Sequence, residues 1–96
     1  MWFGKVENNK TSSAMIPRIK YIEPQNGYKL YAEFDDGRKV KYDLSDDIAK
    51  LPNYSMLAEI NGLFFQASLD SSRTVVYWNE LVDLPSDTIY EYGEEI

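Results

Sequence analysis

Glu80 and Asp83 stand close together in "VVYWNELVDLP", directly after a β-branched and aromatic run that ends in Tyr77 and Trp78. Two neighbouring carboxylates can divide acid and base roles when their surroundings push their pKa values apart. With the amide oxygen of Asn79 they can also offer hard oxygen ligands to Mg²⁺ or Ca²⁺. A plainer reading competes, because Asn and Asp placed after a strand bond to backbone amides a few residues on and shape a turn. The carboxylates belong to a single segment, and no spacing ties a further acidic group to them, so the residues favour the turn. Trp78 is by type either a core wedge whose indole N–H finds one acceptor or an interface anchor. Trp78, Asn79, Glu80 and Asp83 are therefore candidate binding residues, with no catalytic residue, metal ligand or cofactor assigned. A carboxylate-dependent enzyme or divalent-metal-binding protein centred on Glu80 and Asp83 is the alternative.

The chain contains no histidine and no cysteine. That removes the side chain that titrates near neutrality, the thiolate nucleophile and the zinc-thiolate cluster. An enzyme would have to run on carboxylates, Lys, Tyr or Ser, and the expectation is that this protein is not one. The glycines are isolated, so no phosphate-cradling loop is present. Asp35-Asp36 and Asp46-Asp47 lack the spacing of a calcium loop and read as a turn and as the first turn of a helix. Lys39, Lys41 and Tyr31 form a faint basic-aromatic surface, but Glu33 and Asp43 neutralise it, leaving a solvated sheet face.

Charge is distributed unevenly. Residues 1–78 carry ten basic and ten acidic side chains, while residues 79–96 add six acidic and no basic ones, the whole of the net charge of −6. Such an end repels phosphate backbones, so no direct nucleic-acid binding is expected. It reads as a solvated terminus or as an acidic surface facing a basic partner. The apolar runs are too short to cross a bilayer and the N-terminus has no apolar region of secretory type, which predicts a cytoplasmic protein with no membrane partner.

The elements that must position these groups follow from periodicity. Residues 1–14, with Trp2 and Phe3 near the tip, are polar and aperiodic and read as an arm. Residues 15–96 read as one domain, small enough that a ligand site must be a surface groove or an interface. "IPRIKYIEP" is a first strand, after which Tyr28, Leu30, Ala32 and Phe34 alternate, as do Val40, Tyr42 and Leu44 beyond "DDGR". A three-residue loop, Asp35-Asp36-Gly37 with Gly37 left-handed, pairs Ala32 with Val40 and Leu30 with Tyr42. On the outer face it pairs Glu33 with Lys39 and Lys29 with Asp43. Ser45 is the expected cap of a short helix that Pro52 stops; Asn53 or Ser55 starts a second turn, closed by Asn61-Gly62.

A second hairpin with Ser71-Ser72 in its loop pairs Leu69 with Thr74, Ala67 with Val76 and Phe65 with Trp78. The polar half of "VVYWNELVDLP" reads as a turn into the acidic tail, where Ser86 caps a helical segment ending near Gly93. The predicted class is α+β: a mainly antiparallel sheet built from two β-hairpins plus an N-terminal strand, with short helical segments between the hairpins and at the C-terminus. Trp78, Phe64, Phe65 and Tyr77 exceed what one face of so small a sheet must bury. With an uncovered sheet edge, that excess predicts self-association or a protein partner.

Over residues 15–93 this order resembles the small bacterial family known as domain of unknown function 2442. The resemblance rests on "YKLYAEFDDGRKVKYDL" and on "TVVYWNELVDLPSDTIYEYG", which is similar to the family's closing pattern of a strand ending in Trp, a polar turn with an acidic pair, Asp-Leu, then Leu or Ile before Tyr. It implies a small α+β domain, in some members joined to a helix-turn-helix domain, and gene arrangements that look like toxin–antitoxin pairs. It implies no activity and no catalytic residue. The expected function is a non-enzymatic binding or regulatory module acting through a protein partner, with the acidic C-terminus as a secondary surface.

Overall fold

Alternation of apolar and polar residues from Lys29 to Phe34 makes a strand with one buried face. A computed structural model, which describes residues 16–96, sets that strand inside a four-stranded antiparallel sheet. The strands of this sheet are β1 (Ile19–Gln25), β2 (Lys29–Phe34), β3 (Lys39–Asp43) and a final short strand, Glu94–Glu95, which lies beside β3. Between them come helices α1 (Ser45–Lys50) and α2 (Pro52–Glu59), a 3₁₀ turn at Leu63–Gln66, strands β4 (Ser68–Leu69), β5 (Val75–Asn79) and β6 (Val82–Pro85), and helix α3 (Ser86–Tyr92). Glu94–Glu95 is thus β7, and β4, β5 and β6 form a second antiparallel sheet. The α+β class stands, with its strands divided between two sheets. The expected arm at residues 1–14, and Met15 as the start of the domain, lie outside the described residues.

The first hairpin has the predicted register: Ala32 opposite Val40, Leu30 opposite Tyr42, Glu33 opposite Lys39 and Lys29 opposite Asp43. Gly37 supplies the left-handed residue at φ 94° that closes the three-residue loop, and the Gly37 amide donates to the Phe34 carbonyl at 2.9 Å. Leu30, Ala32, Phe34 and Val40 all point inward and are buried.

The second hairpin differs from expectation. Leu69 pairs with Val76, and Ser68 with Tyr77, a slip of two residues from the predicted register. The cause is Asp70, whose Oδ1 accepts the amides of Thr74 (3.1 Å) and Val75 (3.2 Å) and so widens the loop, with Arg73 left-handed at φ 62°. Upstream, Gly62 at φ 81° turns the chain into the 3₁₀ segment, so Phe65 never reaches the strand. A slip of two keeps the same faces inward. Val76 and Trp78 are buried as before, but Phe64 rather than Phe65 lies against the indole, stacked at 6.1 Å between ring centres.

Three smaller expectations are also revised. Ser45 and Ser86 are first residues of their helices and make no side-chain cap. The Asp43 carboxylate takes the Ser45 amide at 2.9 Å, and the buried Ser86 hydroxyl donates to the Pro17 carbonyl at 2.6 Å. Pro52 both stops α1 and begins α2, where its missing N–H costs nothing. Val82–Pro85 is a strand and not the exit to a free tail. Val82 and Leu84 are buried beside Val76 and Trp78, and the chain returns through α3 to pair Glu95 with Val40 and Glu94 with Lys41. One core joins both sheets, closed by Leu57, Leu63, Phe64 and Ile89 from the helical segments. Each large side chain fully buried there contributes roughly 1.5–3 kcal/mol.

Candidate functional site

The β5–β6 hairpin carries the residues singled out from sequence, and it separates them. Trp78 is 5% exposed, and its Nε1–H donates to the Phe64 carbonyl at 2.8 Å. Asn79 shapes the turn: its Oδ1 accepts the amides of Leu81 (2.8 Å) and Val82 (3.0 Å), while its amide nitrogen rests 3.4 Å from the Met56 sulfur. Glu80 is exposed at the turn, where it borders a shallow open depression with Asn79 and Leu81. Asp83 is also exposed, but it sits on β6 opposite Tyr77 and does not line that depression. Its backbone carbonyl accepts the Tyr54 hydroxyl, which covers this edge of the second sheet from α2. The hairpin therefore does not bring the two carboxylates into one concave pocket. Among the described residues no three acidic side chains converge as metal ligands would.

A second constellation forms where the β2–β3 turn, the β4–β5 loop and α3 meet. The Arg73 guanidinium forks onto Asp35 at 2.8 and 2.9 Å and donates to the Ile19 carbonyl at 3.1 Å. The Ile19 amide in turn donates to the Arg73 carbonyl at 2.8 Å, so one residue ties the two sheets together. Asp36 accepts the Arg38 amide at 2.9 Å and the Tyr90 hydroxyl at 2.6 Å. The Arg38 side chain lies over the Tyr90 ring at 4.8 Å and pairs with Glu95 at 2.8 Å. The Tyr90 ring also packs edge-on against Phe34 at 4.9 Å.

These bonds set the local titration. The fork from Arg73 holds the Asp35 carboxyl below the usual range, and the Tyr90 hydroxyl followed by the Arg38 amide does the same for Asp36. Tyr90 is raised by its bond to Asp36. Elsewhere Tyr42 and Tyr54 are raised chiefly by burial, and the bond from Tyr31 to Glu33 pushes its phenol up to about 12. Phenols shifted this way stay neutral donors at ordinary pH and cannot serve as bases. The Asp35 and Asp36 carboxylates likewise stay ionised and already accept internal donors.

Beside this junction runs a groove of about 1180 Å³, lined by Pro17, Phe34 and Tyr90 and bordered by Arg18, Asp87 and Glu91. Asp35 and Asp36 also belong to its lining. Among the described residues its lining gathers no cluster of metal ligands, and the Ser72 hydroxyl on it donates at 2.7 Å to the Asp70 carboxylate, whose other oxygen already accepts the Thr74 and Val75 amides; its chemistry is that of a surface with an apolar floor and acidic rim.

A family described as "Protein of unknown function (DUF2442)" matches residues 19–95, from the first residue of β1 to the last of β7. The chain belongs to the DUF2442 family. Comparison with curated proteins and with solved structures finds no match.

In this DUF2442 domain the matched span contains both the β5–β6 hairpin and the junction. Arg73, Arg38 and Tyr90 escaped sequence reasoning because their partners lie 38 to 57 residues away, at separations no period encodes. The one local signal was Asp70 preceding Ser-Ser-Arg, an acceptor placed to hold a wide loop.

Proposed function

We propose that this DUF2442 domain is a non-enzymatic module that works by binding a protein partner, in the cytoplasm, in the manner of a regulatory pair such as a toxin and its antitoxin. The observation that carries the reading is the commitment of its polar groups. The Trp78 N–H, the Asn79 carbonyl oxygen, and the carboxylates of Asp35 and Asp36 all have internal partners. Such groups hold a shape and are not poised for turnover. The concave surface beside them is broad, open and floored by apolar side chains, which suits a protein contact better than a small substrate. No helix among the described residues is long and apolar enough to cross a membrane.

A partner other than a second copy is favoured by the sheet edges. β1 carries Pro24 and an irregularity between Ile19 and Tyr21, both of which blunt strand pairing, and Tyr54 covers β6. The test is affinity capture with the full chain from its native cytoplasm, with mass identification, alongside sedimentation of the purified chain at micromolar concentration. A stoichiometric partner and a monomeric mass support the reading. A chain that elutes alone overturns it, and a stable homodimer moves the function to self-association.

A further inference from the structure

Charge and shape together say what kind of segment the groove would take. We infer that the groove between the β2–β3 turn, the β4–β5 loop and α3 is the docking site for an extended, basic segment of the partner protein, with Asp87 and Glu91 receiving its cations; this rests on the protein-binding reading above. Asp87 and Glu91 are exposed and one helical turn apart on α3, on its groove side. Like charges at that spacing repel, and a cation laid between them relieves the repulsion. Two of the neighbouring cations are already engaged: Arg73 forks onto Asp35, and Arg38 pairs with Glu95 and covers Tyr90. Among the described residues neither Asp87 nor Glu91 is in a salt bridge with them.

Four carboxylates and one guanidinium, Arg18, line the groove. Its volume of about 1180 Å³ lies at or beyond the upper end for small-molecule pockets. Ile16, Pro17 and Tyr90, above the buried Phe34 ring, give it an apolar surface on which alternate side chains of an extended segment can rest, while Lys or Arg between them reach the rim. A nucleic acid is repelled by the same carboxylates. A second copy docked about a two-fold axis would set Asp87 and Glu91 against themselves.

The test uses the full chain, ¹⁵N-labelled, titrated with a peptide of alternating Lys and Leu and with its Glu and Leu counterpart. The expected result is amide shifts clustered at Arg18, Asp35, Asp87, Tyr90 and Glu91 with the basic peptide only. The Asp87→Lys/Glu91→Lys variant should bind about tenfold more weakly, with a smaller dependence on salt. Shifts scattered over the surface, equal binding of the acidic peptide, or unchanged affinity of the variant would overturn the proposal. So would shifts at Trp2 and Phe3 on adding peptide, which would make the N-terminal residues the occupant, or dimerisation lost in the variant, which would make it a second copy. Cellular capture separates the two levels. A partner captured equally by wild type and variant leaves the binding module standing and removes the groove, whereas no partner for either removes both.

Discussion

Phe64 and Phe65 are adjacent and chemically identical, yet one is 2% exposed and the other 55%. Replacing each by Leu tests the turn that separates them. Phe64→Leu loses the edge-on contact with Tyr28 at 5.4 Å and the stacking on Trp78 at 6.1 Å. Each such pair is worth about 0.5–1.5 kcal/mol beyond area, and the smaller side chain leaves a void costing roughly another 1 kcal/mol. The expected loss is about 2–4 kcal/mol, against a total stability of roughly 5–14 kcal/mol for a domain of this size. That shifts Tm by roughly 10–25 °C and leaves the variant folded. Phe65→Leu trims a mostly exposed ring whose edge-on contact is with Phe64 at 5.6 Å, and should cost about 0.5–1.5 kcal/mol. Urea unfolding followed by far-UV circular dichroism measures both, and an unchanged slope would show that the denatured state is unaffected. If Phe65→Leu cost as much as Phe64→Leu, the 3₁₀ segment would be wrong and Phe65 would be the ring facing Trp78.

Three further outcomes are expected. A Cβ on Gly93 would sit 2.6 Å from the Ile89 carbonyl oxygen and 2.9 Å from the Val40 Cγ2. Gly93→Ala should therefore cost about 1–3 kcal/mol and speed hydrogen exchange at Lys41 and Glu94 as β7 loosens. Asn79→Ala removes the acceptor for two turn amides and should cost about 1–2 kcal/mol, while Glu80→Ala stays within about 0.5 kcal/mol; the reverse order in thermal melts would return the turn to Glu80. Asp36 is held below its ordinary value of 3.8 by Tyr90 and Arg38, so its contribution is complete above that value and lost as pH falls through the lower folded one. Tyr90, raised above 10.0, contributes fully below that value and loses its part as pH climbs through the higher folded one. The urea midpoint should fall at both ends, and Asp36→Asn should shrink both falls; parallel curves for wild type and variant would dissociate this pair from stability.

Short-range features carried most of what could be read from the chain alone. The first hairpin's register followed from alternation, opposite charges and one glycine, all within fifteen residues, where a wrong register would have turned Phe34 or Lys39 to the wrong side. Residue type also fixed what the domain lacks, since no fold can supply a histidine or a thiolate. The second hairpin escaped because two registers bury the same face, and the choice between them lay in the Asp70 carboxylate and a left-handed Arg73. Trp78 is an anchor type by composition, but whether its indole meets a partner or a carbonyl depends on where the chain places Phe64. The junction is assembled from side chains up to 57 residues apart, and the groove from residues as distant as Ile16 and Glu91. Such convergence is written in no local period, because it exists only once both sheets close over the common core.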